Sequence, residues 1–390
     1  MADLFWPGDD RAGDHFSSQA FLRAMVSVEA DWLTGLVGSG VAPASARIDL
    51  SDLIGPDDLA VVQAAAEQGG NPVIALVALL RDRLHEPNPD AARWLHRGLT
   101  SQDVLDTALV LLARDAVDAL GADLHRASRL LMDLAAEHRG TPMVGRTLTQ
   151  HAVPTTFGLR VATWLTGVLD AYDDVMRLGL PVQLGGAAGT RAALVELGVD
   201  PDTVTDAPPW HTARATVTRL GDALVGCTDA CGRIANDILT MSRPEIGELA
   251  EEAGGGSSTM PNKANPTLSV LVRRAALTTP QLAATLHLAA ASQVDDRADG
   301  GWHAEWATLR DLVRRTLVAV SETVDILSGL TVRADRMAAT LAAAGDDLFA
   351  EQRTMADLAG HRPAPTYFGD AGSLIARALH RARTTFQESR

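Results

Sequence analysis

Apolar residues recur along most of this chain with a period near 3.6 rather than the alternation of a strand. The longest such stretches cover 102–137, 154–178, 210–242, 266–291 and 303–328. Several are about twice the roughly 11–12 residues of an average globular helix, which points to an elongated bundle. Shorter helices are predicted over 18–38, 56–67 and 72–85, with Pro and Gly between them, and over 334–344, 346–358 and 370–384, with a proline-bearing break at HRPAPTYFGD. Alternating runs bounded by hairpin turns are nearly absent, so strands are not expected. The pattern predicts an all-α fold with an N-terminal helical domain (1–99), a central long-helix bundle (100–330) and a small C-terminal helical domain (331–390). Leu109, Leu111, Leu112, Trp164 and Val168 put apolar surface on more than one side of their helices, from which homo-oligomerisation is expected.

Composition narrows the function classes. A formal net charge of −15 argues against nucleic acid or an anionic membrane as partner, and means that an anionic substrate needs a local cluster of positive charge. No run approaches the roughly 18 apolar residues of a membrane span, and the opening MADLFWPGDD lacks a basic and then apolar leader, so a cytoplasmic location is expected. Cys227 and Cys231 stand four apart in a helical stretch. They read as two small thiols rather than a metal site, because no second ligand pair lies nearby.

Three loops carry candidate chemistry. In LHRGLTSQDVLDTA, Thr100 or Ser101 is placed to cap the following helix, with Asp103 in its first turn. The stretch is either a well-capped helix start or an anion site in which free N–H groups, two hydroxyls, His96 and Arg97 face a carboxylate. In GRTLTQHAVPTTFG, Pro154 is expected in the first helical turn, behind a polar set of Arg146, Thr147, Gln150 and His151. A histidine in such a place is structural or chemical. The third loop, GGGSSTMPNKANP, holds Lys263, the only lysine of the chain. Its glycines allow close wrapping around a ligand, and Ser257, Ser258, Thr259, Lys263 and Asn265 offer hydroxyls and donors. The alternative is a plain linker; a P-loop is excluded by the spacing.

Together these stretches resemble the aspartase/fumarase superfamily, whose GSSxMPxKxNP signature is met at every fixed position from Gly256 to Pro266. The TSxD pattern (Thr100, Ser101, Asp103) and the GRTxxQ pattern (Gly145 to Gln150) follow in the same order. The resemblance implies an all-α homotetramer, sites assembled from three regions on three subunits, and cofactor-free chemistry at a carbon next to a carboxylate. It implies Ser257 as the group that takes or returns the proton, with His151 and Lys263 as further catalytic residues. His96, Arg97, Thr100, Ser101, Arg146, Thr147, Gln150, Ser258, Met260, Asn265 and Arg297 are then the substrate-binding set for a small polycarboxylate. No metal or other cofactor is expected.

Many family lyases place a histidine where this chain has Leu148, and QVDDRADGGWHAEW lacks the S-S-x-E-R pattern of adenylosuccinate lyases. GLTSQDVLDTAL, GRTLTQHAVPTTFGL, QLGGAAGT and GGWHAEW are instead similar to the 3-carboxy-cis,cis-muconate cycloisomerase branch. That likeness implies intramolecular lactonisation of a tricarboxylate. A C–N lyase of the same superfamily, or one releasing nitrite, is the alternative.

Overall fold

The computed structural model of the chain describes residues 3–252, 255–256, 260, 264–297 and 299–387. In chain order the elements are α1 (Ser18–Gly38), α2 (Asp58–Gly69), α3 (Pro72–Leu84), α4 (Pro89–Trp94), α5 (Ser101–Glu137), β1 (Pro142–Thr147), β2 (Gln150–Thr156), α6 (Phe157–Met176), α7 (Ala192–Glu196), α8 (Ala215–Met241), β3 (Leu249–Glu251), α9 (Thr267–Ala291), α10 (Gly300–Ser328), β4 (Leu330–Val332), α11 (Ala334–Ala343), α12 (Ala350–Leu358) and α13 (Ala371–Gln387). The long helices α5, α6, α8, α9 and α10 pack side by side around one apolar core, as the helical period requires. The fold is all-α, with two short antiparallel strand pairs, β1–β2 and β3–β4, at one end of the bundle. None of the described helices is long and apolar enough to cross a membrane.

Two helix starts differ from expectation. Residues 154–156 belong to β2, and α6 begins only at Phe157, where the Thr156 hydroxyl accepts from the Leu159 N–H at 3.2 Å. Pro154 pairs with Val144 across the hairpin beside an irregularity at Gly145. A Cβ at Gly145 would stand 2.6 Å from the Val153 carbonyl oxygen, so close strand approach requires glycine there. Residues 210–214 do not open α8 because Trp210, His211 and Arg214 are drawn into buried polar contacts described below.

The expected apolar surface also lies elsewhere. Trp164 and Val168 are buried within the chain, as are Leu109 and Leu112. Instead α9 exposes Val270, Leu277 and Leu288 along one stripe of its surface, at 52 %, 62 % and 71 %.

The N-terminal segment is strapped onto α9 and α10. Arg314 pairs with Asp9 (2.7 Å) and reaches the carbonyls of Gly13 and His15, while Arg11 pairs with Asp325 (2.7 Å). The Trp6 ring lies against the guanidinium groups of Arg274 and Arg315. Beneath the strap is Glu322, buried, with neither carboxyl oxygen hydrogen-bonded. Burial pushes its pKa up to about 7; Arg274 and Arg11 oppose the shift, and Asp325 and Glu251 add to it. A folded-state pKa above the unfolded value means stability is fullest below about pH 4.5 and falls as pH rises through 7, by about 3 kcal/mol. Glu322→Gln is expected to match the wild type at pH 4.5 and to be the more stable protein at pH 8. Thermal unfolding at both pH values checks this, and equal stability at pH 8 contradicts it.

Candidate active site

The first candidate loop is fixed by what surrounds it. The Asp103 carboxylate reaches back to the Thr100 N–H (3.0 Å), so Thr100 caps α5 and the helix starts at Ser101. The same carboxylate accepts from the N–H groups of Gly185 (2.8 Å) and Gly186 (3.0 Å) and bonds His211 Nε2 (2.8 Å). The QLGGAAGT segment is thereby tied to the start of α5. One turn on, Asp106 receives Arg214 through both terminal nitrogens (2.8 and 3.0 Å), and Trp302 Nε1 at 2.9 Å. Arg214 also holds Glu305, at 2.5 Å in its shortest contact. All of these side chains are buried. Burial works against the guanidinium charge, but Asp106 and Glu305 outweigh it and hold Arg214 above the ordinary arginine value. Burial pushes the Glu305 carboxyl up, against the pull of Arg214. Trp302 and Glu305 of GGWHAEW therefore build the scaffold under the loop.

Just before the cap, residues 95–98 are clamped from the N-terminal helices. Arg81 of α3 donates to the Leu95 carbonyl (2.8 Å), and Trp32 Nε1 of α1 donates to the Arg97 carbonyl (2.7 Å). Between them His96 holds a left-handed backbone (φ 62°), and its Nδ1 is 2.6 Å from Glu29 of α1. His96 and Ser101 are half-buried, Thr100 is buried and Arg97 is exposed. A cleft of about 500 Å³ opens beside the loop between α1, α5 and the 182–204 segment. Its walls are mainly apolar, including Trp32, Leu99 and Leu184, with Asp103 and Thr107 among its polar lining.

The second loop is the β1–β2 hairpin. Its tip residues Leu148 and Thr149 both have positive φ (47° and 70°), a conformation costly for a β-branched threonine. Thr147, Leu148, Gln150 and His151 are exposed, Leu148 at 95 %. Arg146 is committed to the buried Glu248 through two contacts of 3.0 and 2.8 Å, so much of its charge is answered within the chain.

Of the third loop, Ser257, Ser258, Thr259 and Lys263 lie outside the described residues. Its base is closed by paired backbone bonds between Gly255 and Asn265 (2.8 and 2.9 Å). Glu251 accepts from the N–H groups of Leu268 and Ser269 and from the Ser269 hydroxyl, which anchors the start of α9. Asn265 is half-buried, and Met260 is 52 % exposed. Arg297 is half-buried in the turn between α9 and α10.

These placements divide the candidates. His96, Arg97, Thr100, Ser101 and Arg297 gather at the end where α5 and α10 begin. Arg146, Thr147, Gln150, His151 and Asn265 gather at the end where α5 stops and α9 begins. The 37 residues of α5, at about 1.5 Å each, separate the two ends by roughly 55 Å. Away from the loops, burial pushes the thiol pKa of Cys231 up to about 11, and that of Cys227 further up. Such thiols are poor nucleophiles. Among the described residues no His, Cys, Asp and Glu cluster suits a metal ion.

Sequence reasoning missed Glu29, Asp106, His211, Arg214 and Glu305. A signal existed for two of them: Glu29 falls in the apolar stripe of α1 with Leu22, Met25, Leu33 and Leu36, and Glu305 in that of α10 with Trp302, Leu309 and Leu312. An acid on a buried stripe marks a partnered polar site.

A family model described as "Lyase" matches residues 62–278. The chain is 40 % identical over 391 residues to a nitrosuccinate lyase of Streptomyces davaonensis, covering 94 % of this chain and 81 % of that protein. It is 40 % identical over 351 residues to a 3-carboxy-cis,cis-muconate cycloisomerase of Bradyrhizobium diazoefficiens, covering 86 % and 78 %. The crystal structure of 3-carboxy-cis,cis-muconate lactonizing enzyme from Pseudomonas putida superposes with a TM-score of 0.81 at 28 % identity, over 96 % of this chain and 97 % of that one.

Arg214→Met is expected to cost about 3–5 kcal/mol in denaturant unfolding, because Asp106 and Glu305 lose their buried counter-charge. Arg97→Ala, at an exposed position, should stay within about 0.5 kcal/mol of the wild type.

Proposed function

The chain belongs to the Lyase family of the aspartase/fumarase superfamily and is an enzyme of the lyase and cycloisomerase type, and from that premise we propose that it lactonises 3-carboxy-cis,cis-muconate. A carboxylate oxygen of the substrate adds to a C=C bond, the π pair moves to the carbon beside another carboxylate, and that carbon takes a proton. Ser257 supplies the proton, and Lys263 and Asn265 hold the carboxylate on which charge develops. The observation that carries this reading is Leu148. An exposed apolar side chain stands at the hairpin tip, between the polar Arg146–Thr147 and Gln150–His151. When the nucleophile belongs to the substrate, binding and folding the chain replace a proton-transfer group at that position. His151, three residues on, stays in the proposal as a catalytic side chain brought in by the same hairpin.

A second reading, elimination from a nitrosuccinate-type substrate to give fumarate, is favoured by one observation. At equal identity, the nitrosuccinate lyase matches a larger share of this chain than the cycloisomerase does. Purified protein is expected to bleach the diene absorbance of 3-carboxy-cis,cis-muconate and to release no nitrite from nitrosuccinate. Nitrite and fumarate release without lactone formation favours elimination. Ser257→Ala is expected to abolish turnover with folding unchanged, and Lys263→Arg to impair it although charge is kept.

We further propose a homotetramer in which each site draws its loops from different subunits. The roughly 55 Å between the ends of α5 supports this, since one chain cannot bring both ends to one small substrate. The apolar stripe of α9 supports it as well. Mixing inactive His96→Ala and Ser257→Ala chains after dissociation should restore about a quarter of wild-type activity, the share of sites that draw both loops from intact copies. No recovery in mixed tetramers would mean that both loops come from one chain.

A further inference from the structure

The carboxyl of Glu29 is wholly buried on α1, yet it has one hydrogen-bonded neighbour among the described residues. Its Oε1 lies 2.6 Å from His96 Nδ1, and its Oε2 has no partner. A carboxyl removed from water and left half-satisfied costs stability, and nothing else in α1 uses it. The one hydrogen bond it makes among the described residues goes to that ring. That ring sits on a loop gripped at the carbonyls on either side, Leu95 by Arg81 and Arg97 by Trp32, and the His96 backbone holds a left-handed conformation. With Nδ1 turned inward to Glu29, Nε2 is the nitrogen left for the open side of this half-buried ring.

We propose that Glu29 is a positioning residue for His96: it accepts from Nδ1–H and turns Nε2 outward, where the ring, taking up a proton as the polyanion binds, donates Nε2–H to a substrate carboxylate. This rests on the reading of the loop as part of a polycarboxylate site. In the lactonisation, Nε2–H of the protonated ring donates to one oxygen of the carboxylate whose other oxygen forms the new C–O bond, and that proton stays on the ring. A fixed ring also presents a single tautomer, which spares the site a rotamer search at each turnover.

A structural role and a positioning role predict opposite signs. If Glu29 serves only to hold the fold, its replacement lowers stability and activity together. If it is retained for His96, an isosteric apolar side chain relieves a buried polar group, so stability holds or rises while activity falls. Glu29→Met is expected to keep or raise the thermal midpoint and to lower kcat/KM at least tenfold. Glu29→Gln, whose amide oxygen still accepts from Nδ1–H, is expected to recover most of that loss. Nitrogen-15 NMR of the wild-type imidazoles reads the tautomer without any substrate. His96 is expected to show protonated Nδ1 and bare Nε2 in its neutral form, and a tautomer mixture in Glu29→Met. If neither 3-carboxy-cis,cis-muconate nor nitrosuccinate is turned over, the function reading fails while the NMR result still decides the pairing. A lowered midpoint in Glu29→Met, an unchanged kcat/KM, or a neutral wild-type ring protonated at Nε2 instead of Nδ1 overturns the proposal.

Discussion

The helix start beneath the first loop hangs on one guanidinium. Arg214 stands out of water between Asp106 of α5 and Glu305 of α10, and its own helix, α8, starts one residue later. Three long helices therefore have their starts fixed to each other by a charged group. Removing a single member leaves unpaired buried charge, so the three starts tolerate little independent movement. Trp302 and Gln102 fill remaining acceptor directions on Asp106, and Gln183 approaches it from the chain segment that follows α6. Apolar packing alone would let long helices slide past one another; a directional network of this kind sets their register.

That register passes outward to the loop through Asp103, three residues before Asp106 on the same helix. Asp103 caps α5 and pins the Gly185–Gly186 backbone with one carboxylate. A Cβ at Gly185 would stand 2.5 Å from the His211 ring, so this backbone approaches as closely as it does only because a side chain is missing. Two of the motifs that set the chain beside the cycloisomerase branch, QLGGAAGT and GGWHAEW, thus supply residues that hold the loop in place.

Much of the fold was legible in the sequence because helical period is a local property. Helices α5, α9 and α10 start within a few residues of the positions their apolar stripes predict. The β1–β2 hairpin was not legible: Thr155, Thr156 and Pro154 fit either a strand or a helix start, and contacts distant in sequence decide between them. Exposed apolar surface was misplaced for the same reason, since Trp164 looks exposable until α8 supplies Asp237 for its indole N–H at 2.8 Å. Of the candidate site, the loop residues were visible as polar clusters between apolar helices. The partners that orient them were not, because Glu29 and His96 lie 67 positions apart and no local pattern links them.

The third loop has a property of a different kind. Its two ends, Gly255 and Asn265, are bonded to each other, and Glu251 grips the first turn of α9 independently of what lies between them. A segment closed in this way is a cassette. The start of α9 is held by that join and by Glu251 rather than by the residues in between. Differences of substrate within the superfamily then fall to the other loops, since the stretch closed by this join is the part its members share.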